Sequence, residues 1–484
     1  MSQLHNDTES LLTINQPSTP KSGVRIKPGE TDITILERIG SGGFGDIYEI
    51  IQHDLGRRSA LKVIRTENNS SENSQDFLRE SLISAHLDHP NILPVHSLIR
   101  MSDGRLGLIM KYIKGETWKA LIERNVDKSE WLDYLDANLE VAAKVCEAMA
   151  FSHDKGIIHR DIKPANIMIG KFGEVLLMDW GCAAGYDNES DIPGVPHINS
   201  CTSLTGTPAY MPPEMATRKA DMIAPHSDVF LLGACLFHVT RKKAPFASRS
   251  IAEALAKASA DKPERICSHP AHWPIPETLN LLIKDCIKGS PWKRVQNMTS
   301  LRKRIRHVQS SLSALKILEE QRCKYQSLQD LTLFSDLRLK RLLEIREGLG
   351  MALAHDPKNT EIKELLSLVL RDAYISAHQL NKNLIASDLA AHAEKLELTG
   401  DHTYLNDTDP ILKEDAIDDN IPPESKWFLA IPRAIFPLSS LSLGFIWSLG
   451  AQSHQGIMIA AIIAVFWYGL FGLLGIPYRT SSTA

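Results

Sequence analysis

Apolar and polar positions change their period several times along this chain. From Ile33 they alternate, and beyond a glycine-rich stretch two short runs follow, Ile47-Tyr48-Glu49-Ile50-Ile51 and Ala60-Leu61-Lys62-Val63-Ile64, with Asp54-Leu55-Gly56-Arg57 between them. Period-two runs around a turn signal predict a hairpin of strands. Ser74 to Leu87 reads as a helix. Leu139 to His153 reads as a longer, buried one, because Val141, Ala142, Val145, Met149 and Ala150 recur on one helical face. Helical spacing returns from Ser311 to Thr399, with Asp356-Pro357 as its main breaker. Met1 to about Lys27 has no sustained apolar run, which predicts a disordered tail and excludes a signal peptide.

The end of the chain changes solvent. Asn406 to Ser425 carries Asp407, Asp409, Glu414, Asp415, Asp418, Asp419 and Pro422-Pro423, the composition of a mobile acidic linker. Ile457 to Ile476 then holds no charged residue over a length sufficient to cross a bilayer's hydrocarbon core, and Ala434 to Gly450 is a shorter apolar run. Lys426 and Arg433 precede the first run and Arg479 follows the second, so a hairpin with both ends in the cytoplasm satisfies the positive-inside rule. A single span is the other reading.

Length and charge narrow the picture further. A chain of 484 residues exceeds one ordinary core, and a formal net charge of −4 gives no bulk electrostatic case for nucleic acid. The basic cluster Leu301-Arg302-Lys303-Arg304-Ile305-Arg306 alternates with apolar residues at helical spacing and reads as a solvated helix face. The seven cysteines form no CxxC pair, so no zinc site is expected, and they read as reduced thiols. Cys182 is the one placed near candidate chemistry.

That chemistry centres on Gly156-Ile157-Ile158-His159-Arg160-Asp161-Ile162-Lys163-Pro164-Ala165-Asn166 and on Met178-Asp179-Trp180-Gly181. Two carboxylates, a lysine and an amide on adjacent stretches are equipment for holding Mg²⁺ on a nucleotide and orienting a hydroxyl for phosphoryl transfer. Upstream, Ile39-Gly40-Ser41-Gly42-Gly43-Phe44-Gly45-Asp46-Ile47 contains GxGxxG, a spacing shared with dinucleotide-binding folds. Those folds need a helix after the glycines. A strand follows here, which predicts a hairpin over phosphates.

The stretch HRDIKPAN, followed by DWG where DFG is usual, resembles the eukaryotic-like protein Ser/Thr kinases found in bacteria. The resemblance covers about residues 32–308 and implies specific roles. Asp161 accepts the substrate hydroxyl's proton, Lys163 contacts the transferring phosphate, and Asn166 and Asp179 ligate Mg²⁺ through oxygen. Lys62, which alone could be a snorkelling edge lysine, becomes the ammonium that grips the ATP phosphates, with Glu80 as its partner. Ile39 to Gly45, Ile47 and Ala60 line the nucleotide cleft, while Met110, Lys111, Tyr112 and Ile113 form gatekeeper and hinge. Ser84 departs from the pattern, standing where a large apolar residue usually packs against the metal-binding motif.

Gly206-Thr207-Pro208-Ala209-Tyr210-Met211-Pro212-Pro213-Glu214 resembles the end of the family's activation segment, with PPE for APE. Thr207 is then expected to bond Asp161 and Lys163. Arg160 faces a loop whose first-choice phosphosite is Ser203, followed by Thr205 and Thr202. Glu214 is expected to pair with Arg294, Asp228 to hold the catalytic-loop backbone, and Trp180 to keep a large ring beside Asp179.

The expected fold class is α+β. A disordered tail (1–31) precedes a bilobal protein kinase fold (32–308), an α-helical region (309–400), an acidic linker (401–426) and a transmembrane anchor (427–478, with spans at about 434–450 and 457–476). Ala352 to Asn359 and Ala386 to Ala391 are similar to pieces of tetratricopeptide-like helical pairs, so a partner-docking surface and a plain spacer both stand. The implied function is an ATP- and Mg²⁺-dependent protein serine/threonine kinase of the inner membrane with its catalytic domain in the cytoplasm, acting on protein substrates. The alternative is a nucleotide-binding pseudokinase scaffold.

Overall fold

Alternating side chains from Ile33 onward build a seven-stranded sheet. The protein's structure is a computed structural model and describes residues 12–14, 25–26, 32–41, 45–65, 71–101, 103–187, 192, 194–201, 203–261, 275–331 and 334–395. Strands β1 (Leu12–Ile14), β2 (Arg25–Ile26), β3 (Ile33–Ser41), β4 (Gly45–Gln52), β5 (Arg57–Ile64), β6 (Val95–Met101) and β7 (Leu106–Lys111) lie in the order β1-β6-β7-β5-β4-β3-β2. One face buries Ile33, Ile35, Ile50, Leu61 and Ile109. The other puts Ile64, Leu106 and Leu108 under Phe77 of helix α1 (Ser71–His86).

Two pieces of the expected disordered tail are strands. Leu12 stands opposite Ile99 in a parallel pairing, and Arg25 opposite Thr34 in an antiparallel one. Edge strands expose unpaired N–H and C=O groups, and the short alternation Leu12-Thr13-Ile14 suffices to use one such edge. The other residues of 1–31 lie outside the described residues.

The second lobe contains β8 (Gly115–Thr117), α2 (Trp118–Glu123), α3 (Trp131–Asp154), β9 (Ile157–Ile158), β10 (Ile167–Gly170), β11 (Val175–Leu177), β12 (Ala184–Gly185), α4 (Pro213–Ala216), α5 (Pro225–Arg241), α6 (Ile251–Ser259), α7 (Glu277–Cys286) and α8 (Met298–Gln326). Helix α5 is buried from His226 to Thr240, so it runs through the core. It packs with α3 around Leu139, Val145, Met149, Phe230 and Leu236.

Helix α8 continues without a break through residue 308, where the kinase fold was expected to close. Its first half buries Leu301, Ile305, Val308 and Leu312 in the core of the second lobe. The basic cluster expected to be a solvated face is half-exposed and paired: Arg302 with Glu147, Arg304 with Asp285 at 2.5 Å, and Arg306 with Glu140 at 2.7 Å. Such pairs contribute about 0–1 kcal/mol each and orient the helix more than they hold it. Helices α9 (Asp336–His355), α10 (Thr360–Gln379) and α11 (Asn383–Lys395) follow, each packed on its predecessor. Ser335 and Asn359 cap α9 and α10 by accepting from the backbone N–H groups of Arg338 and Ile362. Among the described residues no helix is long and apolar enough to cross a membrane. The acidic linker and both expected spans lie outside the described residues.

Candidate active site

Helix α3 ends at Asp154, and a turn at Gly156 leads into β9 and the catalytic loop. Gly156 has φ 70°, a left-handed conformation that favours glycine, and a Cβ there would displace the Asp187 carboxylate. The next turn is made by Arg160 at φ 66°, a left-handed conformation costly for a residue that carries a Cβ. Buried Asp228, on α5, stabilises it. Its carboxylate accepts the backbone N–H groups of His159 and Arg160, both at 2.9 Å, and His153 Nε2 at 2.8 Å. Burial opposes ionisation of Asp228, but these donors and His153 outweigh it and hold the carboxyl below its ordinary range.

Four side chains then converge. Lys163 Nζ donates to Asp161 Oδ2 at 2.6 Å and to Thr207 Oγ1 at 2.8 Å, and Thr207 Oγ1 donates to Asp161 Oδ1 at 2.7 Å. Asn166 Nδ2 donates to the Asp161 carbonyl at 3.0 Å and to Oδ2 at 3.2 Å. Asp179 sits in the left-handed region at φ 65°, at the head of the turn Trp180–Cys182. His159 accepts the Asp161 N–H at Nδ1 and donates from Nε2 to the Met178 carbonyl, each at 3.2 Å, which links the two motifs.

The small lobe supplies the opposite wall. Register puts Lys62 between Ile47 and Leu108, and Ala60 beside Met110, with Ile39 to Ser41 on the neighbouring strand. Gly45 is required where it stands, because a Cβ would meet the Val63 carbonyl. Gly42, Gly43 and Phe44 lie outside the described residues, while Lys111, Tyr112 and Ile113 lead from β7 toward the second lobe. Lys62 Nζ is 2.5 Å from Glu80 Oε1 on α1. Burial works against the Lys62 charge, yet Glu80 and Asp179 outweigh it and raise its pKa. Burial in turn pushes the Glu80 carboxyl up, against the pull of Lys62.

A second ion pair closes the activation segment. Arg294 reaches Glu214 with both terminal guanidinium nitrogens, at 2.6 and 2.8 Å, and Ser227 Oγ donates to the same carboxylate at 2.8 Å. The protein kinase domain family matches residues 33–305, more than half of the chain. The chain belongs to the protein kinase domain family.

Relatives of this kinase domain include the serine/threonine-protein kinase PknD of Protochlamydia amoebophila, 29% identical over 285 residues, covering 55% of this chain and 29% of that protein. PknD of Chlamydia caviae is 31% identical over 300 residues (57% and 31%), and that of Chlamydia trachomatis serovar D is 34% identical over 238 residues (43% and 25%). The chain thus spans less than a third of the length of the curated relatives it matches.

Several residues of the kinase domain's site escape a reading of the sequence. Arg218, at φ 56°, joins Arg160, Ser203 and Thr205 around one cavity. Thr202 lies outside the described residues. Arg160 also donates from Nε to the Cys182 carbonyl at 2.5 Å. His153 is the donor that completes Asp228, and only its place on the last turn of the helix leading to the catalytic loop could have signalled it. The Cys182 thiol is pushed up to about 12 by burial, with Asp161 and Asp179 adding to the rise, so it is unreactive near neutrality.

Proposed function

We propose that the chain is a protein serine/threonine kinase that transfers the γ-phosphoryl group of ATP, with Mg²⁺, to hydroxyls of protein substrates. The observation that carries this reading is the bonding of Lys163, Asn166 and Thr207 around the Asp161 carboxylate, beside Asp179 and opposite the buried Lys62–Glu80 pair. The donor chemistry fits the ion. Asn166 spends its amide nitrogen on Asp161, which leaves its oxygen, with the Asp179 carboxylate, as the hard donors that Mg²⁺ prefers.

Bound Mg·ATP supplies the phosphoryl group and a cation that offsets charge on the phosphate oxygens. Asp161 takes up the proton of the attacking hydroxyl as its oxygen joins phosphorus and ADP leaves. Lys163, already 2.6 Å from Asp161, places its ammonium where charge develops on the transferred group. Lys62, kept charged by Glu80, orients the remaining phosphates. ATP-dependent phosphate incorporation by the unmodified chain, absent from Asp161→Asn, tests this reading. ATP binding without transfer would favour the scaffold alternative.

The proposal extends to regulation and place. Ser203 and Thr205 share a cavity with Arg160 and Arg218, which supports autophosphorylation there, since a phosphate would gain two guanidinium partners. The uncharged run Ile457 to Ile476 supports anchoring in the inner membrane with the kinase domain cytoplasmic. Helices α9 to α11 remain a candidate docking surface for a protein partner.

A further inference from the structure

Trp180 is 1% exposed, and its indole Nε1 has no hydrogen-bond partner among the described residues. A buried donor without an acceptor disfavours the state that holds it by roughly tenfold or more, so an acceptor within reach of a small movement would be used. The neighbours can be taken in turn. The His159 ring lies 4.7 Å away, but both of its nitrogens are committed, one to the Asp161 N–H and the other to the Met178 carbonyl.

Helix α1 packs on the turn Trp180–Cys182, and its Glu80 carboxylate lies beside Gly181. Ile83 and Leu87 from that helix share a core cluster with Trp180. Positions 80, 83, 84 and 87 form one helical face, on which only Glu80 and Ser84 carry acceptor oxygens. Glu80 is taken by Lys62. Ser84 is half-buried, and its hydroxyl makes no hydrogen bond among the described residues.

We propose that Ser84 Oγ accepts the Trp180 indole N–H when the cleft closes on nucleotide. A small rotation of α1 then latches the helix to the loop that carries Asp179 and holds Glu80 in the place where it already meets Lys62. This rests on the reading of the chain as an ATP-dependent kinase and adds a device particular to it: a hydroxyl on the helix bonded to an indole on the loop. Ser84 and Trp180 act as positioning residues, through Lys62 and Asp179, and touch no reacting atom.

The test uses the full chain with ¹⁵N-labelled tryptophan, the Trp180 indole resonance being assigned among the eight tryptophans by its loss in Trp180→Phe. Mg·ADP is expected to move that resonance downfield in the unmodified chain and in Ser84→Thr, but not in Ser84→Ala. In phosphate-transfer assays Ser84→Ala is expected to lower kcat/KM for ATP by about 5-fold with Trp180 present, and to change it less than about 2-fold in the Trp180→Phe background. A resonance that does not respond to nucleotide, or responds equally in Ser84→Ala, overturns the latch, as do equal losses in both backgrounds. Failure of the kinase reading shows separately, as absence of phosphate transfer by the unmodified chain, and the indole resonance decides the latch in either case.

Discussion

Thr207 and Asp161, 46 residues apart in the chain, are joined by a 2.7 Å hydrogen bond from the threonine hydroxyl to the carboxylate. The end of the activation segment is thereby tied to the residue proposed above to take the substrate's proton. Lys163 bridges the same two groups, so the three side chains are positioned as one unit.

Replacing Asp161 by Asn keeps the shape and one acceptor oxygen but removes the base. Phosphate transfer is expected to fall by about 10²- to 10⁴-fold, with ATP affinity in an equilibrium titration little changed. A comparable loss of ATP affinity would point to a role in binding.

Lys62→Ala leaves Glu80 buried near Asp179 without its cation. Burial already raises the Glu80 carboxyl, and removing Lys62 takes away the pull that opposes it. The folded variant therefore holds a proton that the unfolded chain releases at about 4.3, and its stability falls as pH rises from there through the raised folded value. Urea unfolding of both proteins between pH 5 and pH 8 is expected to show a gap that widens with pH. A constant gap would mean that Glu80 gains another partner.

Arg294→Ala strands the buried Glu214 carboxylate, with Ser227 as its remaining side-chain donor. The expected cost is about 3–5 kcal/mol, read from urea unfolding, and Glu214→Gln with Arg294→Ala together is expected to cost less than the sum of the two. Additive losses would show that the pair is not coupled.

Arg218→Ala removes one of the two arginines that line a cavity with Ser203 and Thr205. If phosphate on either hydroxyl is the switch, the activity gained on preincubation with ATP is expected to drop about 5-fold in this variant. Mass spectrometry of the segment identifies the modified hydroxyl, and Ser203→Ala with Thr205→Ala is expected to abolish the gain. Full gain in that double variant would place the switch elsewhere.

Much of the site is legible because its chemistry is contiguous. His159 to Asn166 and Asp179 to Gly181 are short runs in which each residue type has a chemical reason, and the glycine hairpin is read from the strand that follows it. Glu214–Arg294 and the role of Asp228 came through resemblance, since no local pattern links residues 80 positions apart. Arg218 gave no signal, because its importance lies in sharing a cavity with Arg160. The ion pairs of Arg302, Arg304 and Arg306 were hidden for a like reason: charge on a helix does not say whether acid lies across from it.

The sequence by itself determined the order of elements and the reacting groups, since hydrophobic period and motif spacing act over a few residues and survive without a fold. Tertiary structure decided what depends on the chain's path through space. It set Lys62 against Glu80 and Thr207 against Asp161, carried α8 unbroken out of the kinase domain, and buried the Trp180 indole where no acceptor among the described residues meets it. Burial and long-range contact fix the pKa of a carboxylate and the partner of a donor, and neither is a property of the residue alone.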